Sequence, residues 1–194
     1  RTPVSNLLTQ TQVTLSKART LEEYQDVLAS NAEEFERLSR TIADMLFLAK
    51  ADNNLLIPLR EEVDLGAEVS SLLEFYEAYA DEKELRLSCS GEASIAGDRL
   101  MLRRAIGNLL SNAVRHTPQL GRISIELKDS PEGETVISVE NTGETIAPEH
   151  LPRLFDRFYR ADASRQHYGE GSGLGLAITR SIVQAHGGEV SVVS

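Results

Sequence analysis

Between residues 4 and 49 the apolar side chains return every three or four positions and never fall into the alternation of a strand. Val4, Leu8, Thr11, Leu15 and Ala18 are spaced 4, 3, 4, 3. After a break at Arg19 and Thr20 the spacing resumes through Leu21, Tyr24, Leu28, Asn31, Phe35, Leu38, Ile42, Met45 and Ala49. Residues seven apart stand on one side of a helix, so a seam sustained for about four heptads predicts coiled-coil-like packing. Two helices joined by a tight turn make an antiparallel hairpin. One hairpin buries little, whereas four helices bury a core, so a homodimeric four-helix bundle is the natural completion. Asn31 is the one strongly polar residue in the seam of the second helix. It reads either as a slip onto the bundle edge or as an amide that fixes register.

The period then changes. Ala51-Asp52-Asn53-Asn54 ends the second helix, and Pro58 keeps it from resuming. Residues 59–64 read as a short strand, 65–80 as an amphipathic helix, and 85–90 and 93–96 as further short strands. Asp98 caps a helix that ends near His116-Thr117-Pro118. Residues 123–128 and 136–139 alternate like two antiparallel strands turned by Ser130-Pro131-Glu132-Gly133. A glycine-rich loop and one more helix follow, stopped by Gly187-Gly188, and residues 189–193 begin a final strand. The order predicts an α/β two-layer sandwich of about 135 residues behind the helical hairpin, α+β as a whole.

Composition narrows the function. A formal charge of −10 argues against nucleic acid or an anionic membrane surface as the main partner. The single cysteine, Cys89, excludes an internal disulfide framework, fits a reducing compartment, and in the strand-like run LRLSCS reads as a core thiol. No stretch approaches the roughly 20 apolar residues that cross a bilayer, and no signal peptide is visible, so the chain as given reads as soluble.

Residues 108–117, NLLSNAVRHT, carry the first chemical signal. Asn108, Asn112 and Arg115 stand at i, i+4 and i+7, one polar stripe on a helix whose other side holds Leu102, Ile106, Leu109, Leu110 and Ala113. Asn is a mediocre helix-interior residue because its amide competes for backbone hydrogen bonds. Two of them one turn apart, followed by Arg and His, point to a ligand: amide oxygens can complete a magnesium shell and Arg can hold phosphate. The second signal is GEGSGLG, with glycine at 169, 171, 173 and 175, directly ahead of the helical run LAITRSIVQAH. Such a loop can be a plain linker. Feeding straight into an amphipathic helix, it can also set free backbone amides against phosphate. It is neither a Walker loop nor a dinucleotide fingerprint, since no Gly-Lys-Ser/Thr follows and the spacing differs.

Taken together, these segments resemble the sensor histidine kinases. Residues 108–117 resemble their N box, Asn141-Thr142-Gly143 the first glycine box, Phe155-Asp156-Arg157-Phe158-Tyr159-Arg160 the F box, and Gly171-Ser172-Gly173-Leu174-Gly175-Leu176 the second glycine box. Arg1-Thr2-Pro3 resembles the tail of the H box, and residues 9–53 resemble the bacterial heavy-metal subgroup with its copper and silver sensors. The resemblance implies a dimerisation and histidine-phosphotransfer hairpin over residues 1–50, a linker at 51–60, and a catalytic ATP-binding domain over 61–194. That domain would have the Bergerat fold shared with gyrase, heat-shock chaperone 90 and mismatch-repair ATPases.

The matched positions then acquire expected roles. Asn112 would coordinate Mg²⁺, with Asn108 supporting the phosphates of ATP and Arg115 reaching the phosphate tail. His116 stands where relatives often carry an aromatic against the nucleotide. Asn141 would meet the adenine amino group and Gly143 give the ring room. Arg160 would neutralise the γ-phosphate during transfer, and residues 161–172 would be the ATP lid, with Gly171, Gly173 and Gly175 lending mobility and phosphate-facing amides. Thr2 would position water for dephosphorylating the response regulator, whose receiver domain is the expected partner; on the residues alone Thr2 is a surface residue at a chain end. The resemblance also implies a parent protein at the cytoplasmic face of the bacterial inner membrane, anchored by segments upstream.

Three departures stand out. The H-box histidine should lie three residues before Arg1, so the acceptor is outside this chain, and the family's last strands would lie beyond Ser194. None of His116, His150, His167 and His186 has an H-box context; His150 on a probable helix, His167 in the lid and His186 before the Gly-Gly stop read as structural or exposed. Asn141 replaces the usual Asp, which weakens but does not remove the hydrogen bond to adenine. Thr145 replaces the box's second glycine. A gyrase-like ATPase would lack the heptad hairpin and the Arg-Thr-Pro start. A nucleotide-binding dimeric scaffold without transfer activity is the alternative from another class.

Overall fold

The structure, a computed structural model, describes residues 2–130, 133–161 and 172–194, with side chains from Val4 onward. The chain divides into two units, Arg1–Ala49 and Lys50–Ser194.

In the first unit, helix α1 (Thr2–Leu15) and helix α2 (Leu21–Asp52) flank a turn at residues 16–20. The break has a local cause. Thr20 and Glu23 form a reciprocal capping box, the Thr20 N–H donating to Glu23 Oε2 at 2.8 Å and the Glu23 N–H to Thr20 Oγ1 at 3.2 Å. That capping box sets the start of α2. Asn31 Nδ2 donates to Thr11 Oγ1 at 3.4 Å and ties the two helices together.

The seam divides where the heptad pattern had joined it. Asn31 is buried and Tyr24 and Leu38 half-buried, while Leu21, Leu28, Phe35, Ile42 and Met45 are exposed. On α1 the buried residues are Leu7 and Thr14, and Val4, Leu8 and Leu15 face outward. One helix covers only one side of its neighbour, so half of the apolar stripe lies outside the hairpin.

The second unit carries two sheets. Strands β1 (Glu61–Asp64) and β3 (Ser94–Gly97) pair antiparallel. In the other sheet β4 (Arg122–Asp129) lies between β2 (Arg86–Ser90), parallel to it, and β5 (Thr135–Asn141), antiparallel to it. Helices α3 (Leu65–Glu82) and α4 (Arg99–His116) cover one face. The strand alternation decides which face: Ile123, Ile125 and Leu127 are buried against Val69, Leu72, Ile106, Leu110 and Val114. Helix α5 (Gly175–Ala185) packs on α4.

Four polar side chains anchor this layer. The Asp64 and Asp98 carboxylates cap α3 and α4, accepting from the Ala67 and Met101 amides at 3.0 Å. Glu68 sits on the buried stripe of α3 and takes Arg99 at 2.5 Å and Arg103 at 3.0 Å from α4. Burial pushes the Glu68 carboxyl up, but the hydrogen bonds and charges of Arg103 and Arg99 outweigh it and hold the group below the usual carboxylate range. At the same end His186 closes the layer. Its Nδ1 stands 2.8 Å from the Ile182 carbonyl, which can only accept, and its Nε2 lies 3.0 Å from the Asp98 N–H, which can only donate. The imidazole therefore carries its proton on Nδ1, which gives His186 a structural role.

Three expectations fail. Residues 189–193 form no strand; a strand exists only as one rail of a ladder, and among the described residues none pairs with it. Cys89 is exposed, because β2 is an edge strand; partial desolvation still pushes its thiol up, away from a reactive thiolate. The helix expected around His150 is a turn followed by a single 3₁₀ turn, Leu151–Arg153. His167 and the Pro131-Glu132 step of the predicted turn lie outside the described residues.

Candidate functional site

Asn108 and Asn112 lie on α4, both half-buried, on the side away from Leu102, Ile106, Leu110 and Ala113. Asn108 Nδ2 donates to the Gly175 carbonyl at 3.1 Å, so the first residue of α5 is held beside the Asn stripe. Thr179, fully buried, adds a second clasp, its hydroxyl 3.1 Å from the Gly175 carbonyl and 3.4 Å from that of Ala105. Among the described residues the α5 N-terminus has no side-chain cap, because Leu174 precedes it; the first amides of a helix have no intrahelical acceptor and suit an anion.

The glycine motif connects on to the F box. Gly173 takes φ +69°, and its carbonyl accepts from the Phe158 N–H at 2.9 Å. A Cβ on Gly173 would stand 2.9 Å from the Phe158 Cα and carbonyl carbon, so only glycine fits there. Phe158 itself is left-handed at φ +61°. Tyr159 is pinned next to it, its hydroxyl 2.6 Å from His150 Nδ1 and its ring under the Arg153 guanidinium at 4.3 Å. Arg157 pairs with Asp52, whose carboxyl the Arg157 hydrogen bond holds below its ordinary value. Arg160 is exposed.

At the other end of α4, register brings in the first glycine box. Asn141 pairs with Ile123, so its side chain is on the helix-covered face of the sheet. Its amide donates to the Thr142 carbonyl at 3.3 Å, which leaves Oδ1 as an acceptor. Thr142 Oγ1 accepts from the Arg122 N–H at 2.8 Å and fixes the strand end. Gly143 lies against the last turn of α4, where a Cβ would be 3.0 Å from the His116 carbonyl. Arg115 and His116 are exposed on that turn.

Asn108, Gly175, Gly173 and Phe158 thus form one connected line beside the middle of α4, and Asn141, Gly143 and His116 a second at its last turn. Leu174 is fully buried and presents only its backbone; Leu176 is half-buried and Ser172 exposed. Thr2 starts α1, in the other unit, and Gly171 lies outside the described residues. A surface hollow of about 470 Å³ at the sheet end beside Arg86 and Arg122 meets this region through Thr142.

A Mg²⁺–nucleotide fits this donor set. Among the described residues no group of three His, Cys, Asp or Glu could hold a metal, and what this face of α4 offers is neutral amide, a donor that a hard cation accepts beside phosphate oxygens and water. Sequence reasoning missed Glu68 and Thr179, yet both stand on apolar stripes (Leu65, Glu68, Val69, Leu72; Ile178, Thr179, Ile182), and a polar residue on such a stripe is the signal. The Phe158–Gly173 contact and the pinning of Tyr159 by His150 had no sequence signal.

Residues 97–194 match the family described as histidine kinase-, DNA gyrase B-, and HSP90-like ATPase. The sensor histidine kinase CusS of Escherichia coli O6:H1 is 53% identical over 195 residues, spanning 100% of this chain and 40% of that protein. The chain is thus less than half the length of the curated relatives it matches. Among solved structures, full-length ShkA in complex with AMPPNP aligns over 100% of this chain and 40% of its own, with TM-score 0.77 and 27% identity. Histidine kinase ThkA in complex with response regulator protein TrrA shares the fold, with TM-score 0.71 and 18% identity over 96% of this chain and 52% of that one.

Proposed function

This chain belongs to the histidine kinase-, DNA gyrase B-, and HSP90-like ATPase family, and from that premise we propose that it is the catalytic portion of a sensor protein-histidine kinase. The proposal assigns ATP to the face of α4 and Mg²⁺ to Asn112. The observation that carries it is the Asn108–Gly175 hydrogen bond, which sets uncapped α5 amides beside the Asn stripe. Asn108 orients the α5 amides toward the phosphates, Arg115 and Arg160 supply positive charge, and Asn141 Oδ1 accepts from the adenine amino group. When bound, Mg²⁺ neutralises charge on the phosphate oxygens. An imidazole nitrogen of the H box that ends in Arg1-Thr2-Pro3 attacks the γ-phosphorus, the bond to the β–γ bridging oxygen breaks, and ADP leaves. Positioning and charge neutralisation supply most of the catalysis in such a transfer.

The phosphoryl group then passes to a carboxylate of a response regulator, and Thr2 serves the reverse hydrolysis. The first unit makes the homodimer through residues 1–50, using the exposed stripe Leu21, Leu28, Phe35 and Ile42. The parent protein senses a heavy metal at the bacterial inner membrane; among the described residues no helix is long and apolar enough to cross one.

Calorimetry with AMPPNP, with and without Mg²⁺, tests the site: affinity should require the metal. γ-Labelled ATP given to the chain with its complete H box should leave an acid-labile, alkali-stable phosphoprotein. Failure to bind nucleotide sinks the site. Binding without label leaves the scaffold reading in its place.

A further inference from the structure

Asn31 ties α2 to α1. It is 8% exposed in the hairpin, and its Oδ1 has no hydrogen-bond partner, while Nδ2 reaches Thr11 Oγ1 at 3.4 Å. Turning the amide over gains nothing, because the Thr11 hydroxyl already donates to the Leu7 carbonyl at 2.8 Å and has no proton for Oδ1. A buried, half-satisfied amide is costly, and a lone hairpin offers it nothing more.

Its position on α2 says where a partner must come from. At about 100° per residue, Asn31 lies some 60° from Leu28 and 40° from Phe35 around the helix. Those neighbours are 66% and 61% exposed, so Asn31 borders the outward stripe as well as the hairpin. Val4, Leu8 and Leu15 on α1 and Leu21, Leu28, Phe35, Ile42, Met45 and Leu46 on α2 are each about half exposed or more, apolar surface on the order of the roughly 800 Å² per partner that a stable interface buries. A two-fold axis along the bundle sets like layers of two copies side by side. In that arrangement the Asn31–Thr11 layer of one copy meets the same layer of the other, which brings the second N–H of the other Asn31 amide, since the Thr11 hydroxyl already donates to the Leu7 carbonyl at 2.8 Å. Slipped or reversed, the amide meets Leu28, Phe35 or Ile42 instead.

We propose that Asn31 is the register lock of a second copy's docking: its orphaned carbonyl oxygen is completed by the Asn31–Thr11 layer of the other chain. The lock gives up affinity to exclude slipped and higher-order assemblies. This rests on the dimer reading above. It adds to it that one residue, not the apolar stripe, selects the pairing.

The test uses the full chain with Cys89→Ser, which leaves no cysteine, and Glu36→Cys as a spin-label site on α2. Pulsed electron-spin distance measurements report register, and sedimentation reports mass and affinity. With Asn31 present, a dimer with one narrow inter-copy distance is expected. Asn31→Leu, and the smaller Asn31→Val should the first aggregate, should tighten association about tenfold. Both should broaden or split the distance, or shift mass toward trimers and tetramers. A variant dimer that keeps the single narrow distance overturns the lock while leaving the dimer reading intact. A chain with Asn31 that stays monomeric at 100 µM overturns the dimer reading, and the lock with it.

Discussion

Gly173→Ala separates the two penalties that a methyl group can meet in the candidate site. At φ +69° an alanine costs about 1 kcal/mol in backbone conformation. The new Cβ also stands 2.9 Å from two backbone atoms of Phe158, neither of which can rotate aside, and relief of such overpacking costs a further 1–3 kcal/mol or so. Gly187→Ala is the internal control. It has φ +83° with nothing within 4 Å of its Cβ, so it carries the conformational term alone. Urea unfolding should therefore give about 1 kcal/mol for Gly187→Ala and about 2–4 kcal/mol for Gly173→Ala. Local opening can cap the second value, because the strain is relieved once Phe158 N–H and Gly173 C=O, 2.9 Å apart, separate. In that case the loss moves to function, and Mg²⁺–AMPPNP affinity should fall about tenfold or more for Gly173→Ala and stay unchanged for Gly187→Ala. Equal unfolding penalties together with equal nucleotide affinities would refute the claim that Phe158 and Gly173 form a tight joint between the F box and α5.

Other perturbations follow from single contacts. Asn112→Ala should abolish Mg²⁺-dependent nucleotide binding in calorimetry while the sedimenting mass stays that of the parent chain. Glu68 has a folded-state pKa below its unfolded one, so its pairing with Arg99 and Arg103 stabilises fully above about pH 5 and is lost as pH falls through the folded value. Glu68→Gln should cost about 2 kcal/mol at pH 7 and flatten the loss of melting temperature between pH 7 and 4; an unchanged slope would assign acid sensitivity elsewhere. Phe35→Glu puts a charge on the outward stripe and should shift the chain to monomers in sedimentation, with helicity kept by circular dichroism.

Helix α4 was legible because everything that forms it is local: the Asp98 cap, the apolar period and the Thr117-Pro118 stop lie within one stretch of chain. The strands β4 and β5 were legible through alternation and the turn residues between them. Legibility ended where pairing was required. The parallel contact of β2 with β4 joins segments separated by a helix, and residues 189–193 have strand-like composition but no partner among the described residues. For the site, the Asn stripe and the glycine run announced themselves by residue types that pay poorly in ordinary helices and strands. Glu68 and Thr179 went unread because a polar residue on an apolar stripe is explained only by the helix opposite.

What the sequence alone determined is periodicity and chemistry: a heptad hairpin, a sandwich behind it, and amides, glycines and arginines suited to a nucleotide. Short-range sterics and hydrogen bonding fix those at each position. Only the tertiary structure decided that Asn108 holds the start of α5, that Phe158 closes on Gly173, and that Asn31 is buried with one acceptor unmet. Each joins residues from different elements. Their meeting depends on the packing of whole helix and sheet faces, which no local pattern encodes.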